Sequence, residues 1–201
     1  MGEAGIEIAT EIKHFFHEHE LTLTHELKSS KKCDGCIRPI STPFYSCTQC
    51  CAFNLHKFCV ELPPKKWHPL HQHLLTLSKP PYYNKKFSCN ACARWCNGFT
   101  YNCHRCNFDL DINCSLTSDK WTHAGHVHEL ILSNATRVGN CSVCDSKGYV
   151  FRCADCPFAL DFKCATLPSS ARYEQHEHLF ALQYTLEDDS EEYYCDICIH
   201  S

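Results

Sequence analysis

The 201-residue sequence lacks a long apolar run, a secretory leader and a strong net charge. No apolar stretch approaches the ~20 residues that a membrane-spanning helix needs. The first twenty residues are acidic and contain no apolar core, so we expect no secretory signal. The formal net charge of −4 argues against a protein that wraps a polyanion through its net field. These absences predict a chain of the cytoplasm or the nucleus, without a transmembrane segment.

Cysteine, by contrast, is abundant: the chain has 19 cysteines and 15 histidines. Cysteine at this density indicates a cross-linked scaffold rather than an ordinary globular chain. Disulfides do not persist in a reducing compartment, and an odd number of cysteines cannot pair completely within one chain. Metal binding therefore explains the cysteines better than disulfide bonds do.

The chain is an internal repeat. Four histidine clusters superpose without a gap, and they read HFFHEHELTL (14–23), HPLHQHLLTL (68–77), HAGHVHELIL (123–132) and YEQHEHLFAL (173–182). A Cys-x-x-Cys pair follows each cluster. In the first three units a second pair follows, and then a short signature that reads FNLHKFC (53–59), FDLDINC (108–114) and FALDFKC (158–164). We therefore expect a flexible N-terminus (1–10), three zinc modules (11–65, 66–120 and 121–170) and a partial fourth module (171–201).

Each complete unit offers eight metal ligands, the number that two closed tetrahedral zinc sites require. These ligands are five cysteines, a His-x-His pair and one terminal histidine or aspartate. Two cysteines separated by two residues bring both sulfurs to one ion, and two histidines in i, i+2 positions of a strand leave its same face. No open coordination position with a general base beside it is evident, so we expect structural sites and no catalysis.

The energetics also favour structural zinc. A module of about 55 residues gains only ~3–5 kcal/mol from its own core, whereas structural zinc contributes on the order of 10–16 kcal/mol. The alternating Phe and Leu of the signature predict a strand that packs a minimal core. Asn54 and Asp109 are expected on the opposite, solvated strand face.

The ordered motifs H-x-H-x-L, C-x2-C, aromatic-x-C-x2-C and F-x-L-[H/D]-x2-C resemble the plant cysteine/histidine-rich divergent C-one domain. That family is a distant relative of the diacylglycerol-binding zinc finger of protein kinase C. The resemblance covers residues 14–201 almost continuously. It implies α+β modules in tandem, each with short antiparallel strands, a short C-terminal helix and two cross-braced zinc sites. It also implies intracellular signalling in plant stress, defence or development.

The resemblance further implies how the ligands group. The histidine pair and the second cysteine pair form the first group of each module: His17, His19, Cys47 and Cys50; His71, His73, Cys103 and Cys106; His126, His128, Cys153 and Cys156. The first cysteine pair and the terminal ligands form the second group: Cys33, Cys36, His56 and Cys59; Cys89, Cys92, Asp111 and Cys114; Cys141, Cys144, Asp161 and Cys164. The partial unit offers His176, His178, Cys195 and Cys198. We expect six zinc ions, and a seventh if the partial unit closes a site.

Two assignments have alternatives. The family's pattern has a further cysteine that is absent here, and His68 and His123 lie close to its position. These histidines can serve the preceding module in place of His17 or His71, although the local His-x-His pair is favoured because Tyr173 stands at the equivalent position after module 3.

The cysteines of the first two modules leave a second ambiguity. Cys51 can replace Cys50 as a ligand, although Cys50 keeps the C-x2-C spacing. Cys96 has no partner in register and is expected to be a buried or idle thiol.

The function favoured by these patterns is a zinc-stabilised interaction module with a protein partner. Trp95 and Phe99 are candidate anchors in a loop between paired cysteines. Protein-disulfide reductase activity is the main alternative, but the βαβ context of such enzymes is missing. Nucleic-acid binding is weakly supported, because the lysine pairs are scattered. In the related zinc finger, the groove that binds diacylglycerol depends on a Gln-Gly segment. The present sequence contains no Gln-Gly dipeptide, so we expect no diacylglycerol binding.

Overall fold

The computed structural model describes residues 9–49, 52–80, 86–133, 138–172, 179–182 and 184. Module 1 contains β1 (Glu11–Lys13), β2 (Glu20–Thr24), β3 (Phe44–Ser46), β4 (Asn54–His56) and α1 (Lys57–Val60). Module 2 contains β5 (Lys65–His68), β6 (His71–Ser78), β7 (Phe87–Ser88), β8 (Trp95–Cys96), β9 (Thr100–Cys103), β10 (Phe108–Asp111) and α2 (Ile112–Ser115). Module 3 contains β11 (Lys120–His123), β12 (His126–Leu132), β13 (Val138–Asn140), β14 (Lys147–Cys153), β15 (Ala159–Asp161) and α3 (Phe162–Ala165). A hairpin of β16 (Ser170–Arg172) and β17 (Leu179–Ala181) follows.

The main sheets of the three modules have equivalent strand orders. They are β1-β2-β3-β4 in module 1 and β5-β6-β9-β10 in module 2, with antiparallel neighbours. Module 3 has β11-β12-β14, and both β13 and β15 pair with β14. The expected fold class of small, strand-rich zinc modules in tandem is confirmed.

A repeated cross-strand row forms the core of each sheet. The aromatic residue two positions before the second cysteine pair lies between two leucines of the neighbouring strands. The three rows are Leu23–Tyr45–Leu55, Leu77–Tyr101–Leu110 and Leu132–Phe151–Leu160. The central and last members of every row are buried, which is the role that the alternating signature predicts.

The short helices α1, α2 and α3 begin directly after the terminal strand of each module. Asp111 and Asp161 precede α2 and α3, and their carboxylates accept hydrogen bonds from the Cys114 and Cys164 amides at 2.9 and 2.7 Å. This is N-capping by an aspartate side chain. In module 1 the equivalent His56 makes no side-chain cap. Replacement of histidine by aspartate therefore stabilises the turn that leads to the last cysteine.

The expectation that Asn54 and Asp109 are solvated is wrong, because both are buried. The Asn54 side chain donates to the Ala52 carbonyl and accepts from the Ser46 hydroxyl, so its polar atoms are satisfied inside the module. The Asp109 carboxylate accepts from the Thr100 hydroxyl. Among the described residues, no helix is both long and apolar enough to cross a membrane.

Candidate metal centres

Five of the predicted ligand groups are assembled in the structure. In each group, one ligand atom from each of the four side chains lies within 4.8 Å of the other three. These five are the second group of module 1 and both groups of modules 2 and 3: Cys33, Cys36, His56, Cys59; His71, His73, Cys103, Cys106; Cys89, Cys92, Asp111, Cys114; His126, His128, Cys153, Cys156; Cys141, Cys144, Asp161, Cys164. None of the 15 described cysteines forms a disulfide bond with another described cysteine.

The donor sets and their spacing fit zinc. Zn–S bonds of about 2.3 Å and Zn–N bonds of about 2.0 Å at a tetrahedral ion separate sulfur from nitrogen by about 3.5 Å. The His73 Nδ1 atom lies 3.1 Å from the Cys106 sulfur, and His126 Nε2 lies 3.6 Å from the Cys156 sulfur. In the other kind of group, His56 Nδ1 lies 3.3 Å from the Cys36 sulfur. These groups would hold zinc and would contribute cross-links within each small core.

The histidine pairs are positioned by the first residue of the signature. His17 stacks on Phe53, His71 on Phe108 and His126 on Phe158, with ring centroids 4.2 to 4.4 Å apart. Sequence reasoning assigned these phenylalanines to the core only. Their recurrence at the same place in three units is the signal that they share a second role, which is to orient the first histidine of the pair.

Tight knuckles carry the first cysteine pair of each module. The residue directly after the pair has a positive φ of 63° at Ile37, 56° at Ala93 and 54° at Asp145. Its amide donates back to the carbonyl of the first cysteine at 2.8 to 3.0 Å. The left-handed turn brings both sulfurs to the same side of the loop. Such a φ is unfavourable for a β-branched side chain, so Ile37 is held there by its surroundings.

A polar clamp fastens each knuckle to the terminal strand. Asp34, Asn90 and Ser142 each follow the first cysteine, and their side chains accept from the amides of Asn54, Asp109 and Ala159 at 2.7 to 2.9 Å. In the opposite direction, the amide of each clamp residue donates to the carbonyl of the same strand residue at 2.8 Å. Sequence reasoning missed this clamp. A short polar side chain at one register position in all three units is the signal that reveals it.

The electrostatics of the second groups favour a bound cation. Hydrogen bonds that the protonated ring donates to the Cys33 and then the Cys36 sulfur raise the pKa of His56 to about 10, despite its burial. Hydrogen bonds from Cys114 and then Cys89 lower the pKa of Cys92 to about 4, whereas hydrogen bonds with Cys89 and Cys92 raise the pKa of Cys114 well above its usual value. His56 Nε2–H donates to the Pro39 carbonyl at 3.0 Å, which leaves Nδ1 to face the sulfurs. This is the outer-shell orientation that metal-ligating histidines require.

Comparison with known families agrees with this geometry. The family model of the C1 domain matches residues 15–60 and residues 69–115. These two segments are therefore tandem C1 domains. C1 domains bind zinc, and the two matched segments include three of the five assembled groups. No curated protein and no solved structure matches the chain significantly. Module 3, which follows the two matched C1 domains, repeats their ligand pattern and their main sheet.

His68 makes its hydrogen bonds within module 2. Its Nδ1 atom accepts from the Leu70 amide at 3.3 Å, and its Nε2–H donates to the Cys114 carbonyl at 3.2 Å. Burial lowers the pKa of this histidine to about 4. His123 likewise accepts from the Gly125 amide and stacks on Tyr184. These contacts favour the local His-x-His pairs over ligation of the preceding module.

The first group of the first C1 domain is described only in part. His17 and His19 lie side by side, with ring centroids 5.6 Å apart, close to the 5.2 Å between His71 and His73. Cys50 and Cys51 are outside the described residues, so the choice between them stays a prediction. The same applies to the ligands of the partial unit, which are His176, His178, Cys195 and Cys198.

Three residues that the sequence singled out near the second C1 domain have different environments. Cys96 belongs to none of the five assembled groups, and burial raises its pKa to about 12. Trp95 is 73% exposed, as expected of an anchor, whereas Phe99 is only 3% exposed. Phe99 packs against His14 and Phe16 of the first module. The interpretation of Phe99 as an exposed anchor is wrong.

Proposed function

We propose that the chain is a non-catalytic, zinc-stabilised interaction module of intracellular signalling that acts in the cytoplasm or the nucleus. The observation that carries this proposal is the closure of the five assembled groups. Each group supplies four ligand atoms that lie within 4.8 Å of one another. Four ligands complete the tetrahedral coordination of a zinc ion and leave no coordination position for a substrate. Residues 15–60 and 69–115 are zinc-binding C1 domains. The signalling role is what the proposal adds to this family assignment.

The proposed number of zinc ions is six. Five come from the assembled groups, and the sixth comes from His17, His19, Cys47 and Cys50. A seventh ion binds only if the partial unit completes its own site. The resemblance to plant divergent C-one domains supports a setting in stress, defence or developmental signalling, and it supports an absence of diacylglycerol binding because the Gln-Gly segment is missing.

A protein is the proposed partner. Several large apolar side chains are more than half exposed on different modules, which is a suitable arrangement for multivalent contact. They include Phe15 in module 1, Trp67 and Trp95 in module 2, and Val127 in module 3. Aromatic anchors of this kind carry much of the binding energy in protein interfaces.

Native mass spectrometry of the full chain tests the zinc-binding part of the proposal. The expected result is six zinc ions per chain, and a count below five contradicts the model with two sites per module. The same zinc-loaded sample in an insulin-reduction assay separates a binding module from a protein-disulfide reductase. We expect no turnover, because every described Cys-x-x-Cys pair lies beside two further metal donors. Measurable turnover contradicts the non-catalytic role.

A further inference from the structure

A cavity of about 1060 Å³ lies where the three modules meet. Its walls come from the knuckle of module 1, the corresponding segment and the start of α2 in module 2, and the segment after α3. In residue ranges, these walls are 35–39, 94–99, 111–113 and 166–172. The volume is slightly above the range of about 300–1,000 Å³ that is typical of small-molecule sites.

Hydrogen bonds between the modules hold the walls together. The Phe99 amide donates to the Gly35 carbonyl at 2.8 Å, and the Asn113 side-chain amide donates to the Cys36 carbonyl at 3.2 Å. Arginine side chains join the third module to the other two. Arg38 donates to the Thr166 carbonyl at 2.5 Å, and Arg94 donates to the Lys163 carbonyl at 2.6 Å. The cavity is therefore a built junction of the three modules.

The charge of the lining is positive. Arg38, Arg94 and Arg172 line the cavity, and Asp111 is the one acidic residue among its lining residues. The Asp111 carboxylate is turned to its own module, where Oδ1 accepts from the Cys114 amide and Oδ2 lies 3.3 Å from the Cys92 sulfur. The guanidinium of Arg172 has no hydrogen bond or ion pair with any residue that the structure describes. A guanidinium of this kind is available for a carboxylate, sulfonate or phosphate oxygen.

The remaining lining is largely apolar. Ile37 supplies an aliphatic surface at the junction, and Trp95, which is 73% exposed, supplies a flat aromatic one. Apolar walls of this kind suit the body of a small organic ligand, while the arginines can meet its acid group.

We propose that this cavity binds a small organic acid with a flat apolar body. The acid group pairs with Arg94 and Arg172, and the apolar body lies against Trp95 and Ile37. Such a ligand touches modules 1 and 2 and strand β16 at once. This proposal does not depend on the partner or the pathway of the chain.

The test uses 8-anilinonaphthalene-1-sulfonate, a flat aromatic sulfonate with one N–H group, as the probe for the zinc-loaded full chain. Fluorescence titration should give one saturable site per chain. Arg172→Gln should raise the dissociation constant about tenfold or more, because a charge-assisted hydrogen bond is lost. Arg152→Gln removes an exposed arginine of module 3 that does not line the cavity, so it should leave the dissociation constant unchanged.

A second comparison separates the acid site from a general apolar surface. N-phenyl-1-naphthylamine keeps the rings and the N–H group but lacks the sulfonate, so it should bind at least tenfold more weakly than the probe. Zinc counts measured after each titration show that the variants remain folded. Absence of saturable binding, equal affinity of the Arg172→Gln and Arg152→Gln variants, or equal affinity for the neutral analogue overturns the proposal.

Discussion

Replacing Gly98 with alanine should loosen the contact between the first two modules. A Cβ atom at this position would lie 2.3 Å from the Gly35 carbonyl oxygen and 2.8 Å from Cγ1 of Ile37. Gly98 does not have a positive φ, so alanine suits the backbone conformation itself. Crowding between the two modules is therefore the cause of any loss.

The expected loss follows from these contacts. The atom nearest to the new Cβ belongs to the backbone and cannot rotate away, so module 1 has to shift by roughly 1 Å to restore an ordinary contact distance. Overpacking of this kind costs about 1–3 kcal/mol. The same shift lengthens the hydrogen bond from the Phe99 amide to the Gly35 carbonyl. Loss of this bond adds about 1 kcal/mol. Together they predict that the contact is weakened by about 2–4 kcal/mol.

Hydrogen exchange of the Phe99 amide measures this contact directly in the zinc-loaded chain. A weakening of 2–4 kcal/mol corresponds to a loss of protection of about 30- to 1,000-fold. Gly148→Ala is the matched control, since nothing lies within 4 Å of a Cβ atom there. Equal protection of the Phe99 amide in the two variants would refute the reasoning, as would loss of zinc from Gly98→Ala, because the substitution touches no ligand.

Two further predictions concern the metal groups and their support. Cys89→Ser should remove one zinc ion in native mass spectrometry, whereas Cys96→Ser, outside the five assembled groups, should leave the count unchanged; equal losses would contradict the assignment. Asn90→Ala should lower the free energy of unfolding by about 1 kcal/mol in urea denaturation, because the Asp109 amide loses its acceptor. The exposed Asn97→Ala should change this free energy by less than about 0.5 kcal/mol, and an equal cost in both asparagine variants would rule out the clamp.

Features that recur in every module were open to prediction from the sequence. The ligand groups, the short strands and the row of leucine and aromatic residues each occur three times at fixed spacing, so their shared role could be inferred without coordinates. The environment of single residues could not be predicted from repetition. Asn54 and Asp109 look like solvated strand residues, but their burial depends on the polar clamp and on neighbouring hydroxyl groups. Local periodicity does not reveal partners that lie across the module.

Contacts between modules were beyond sequence reasoning for a different physical reason. The knuckles of the three modules share one geometry, but the residue after each cysteine pair differs: Ile37, Ala93 and Asp145. Ile37 lies against Gly98, and the adjacent Phe99 is buried among aromatic rings of module 1. Each junction occurs once, so no repetition exposes its pattern. The zinc ligands thus define modules that the sequence makes visible, while single unrepeated residues determine how those modules join and what the cavity between them can bind.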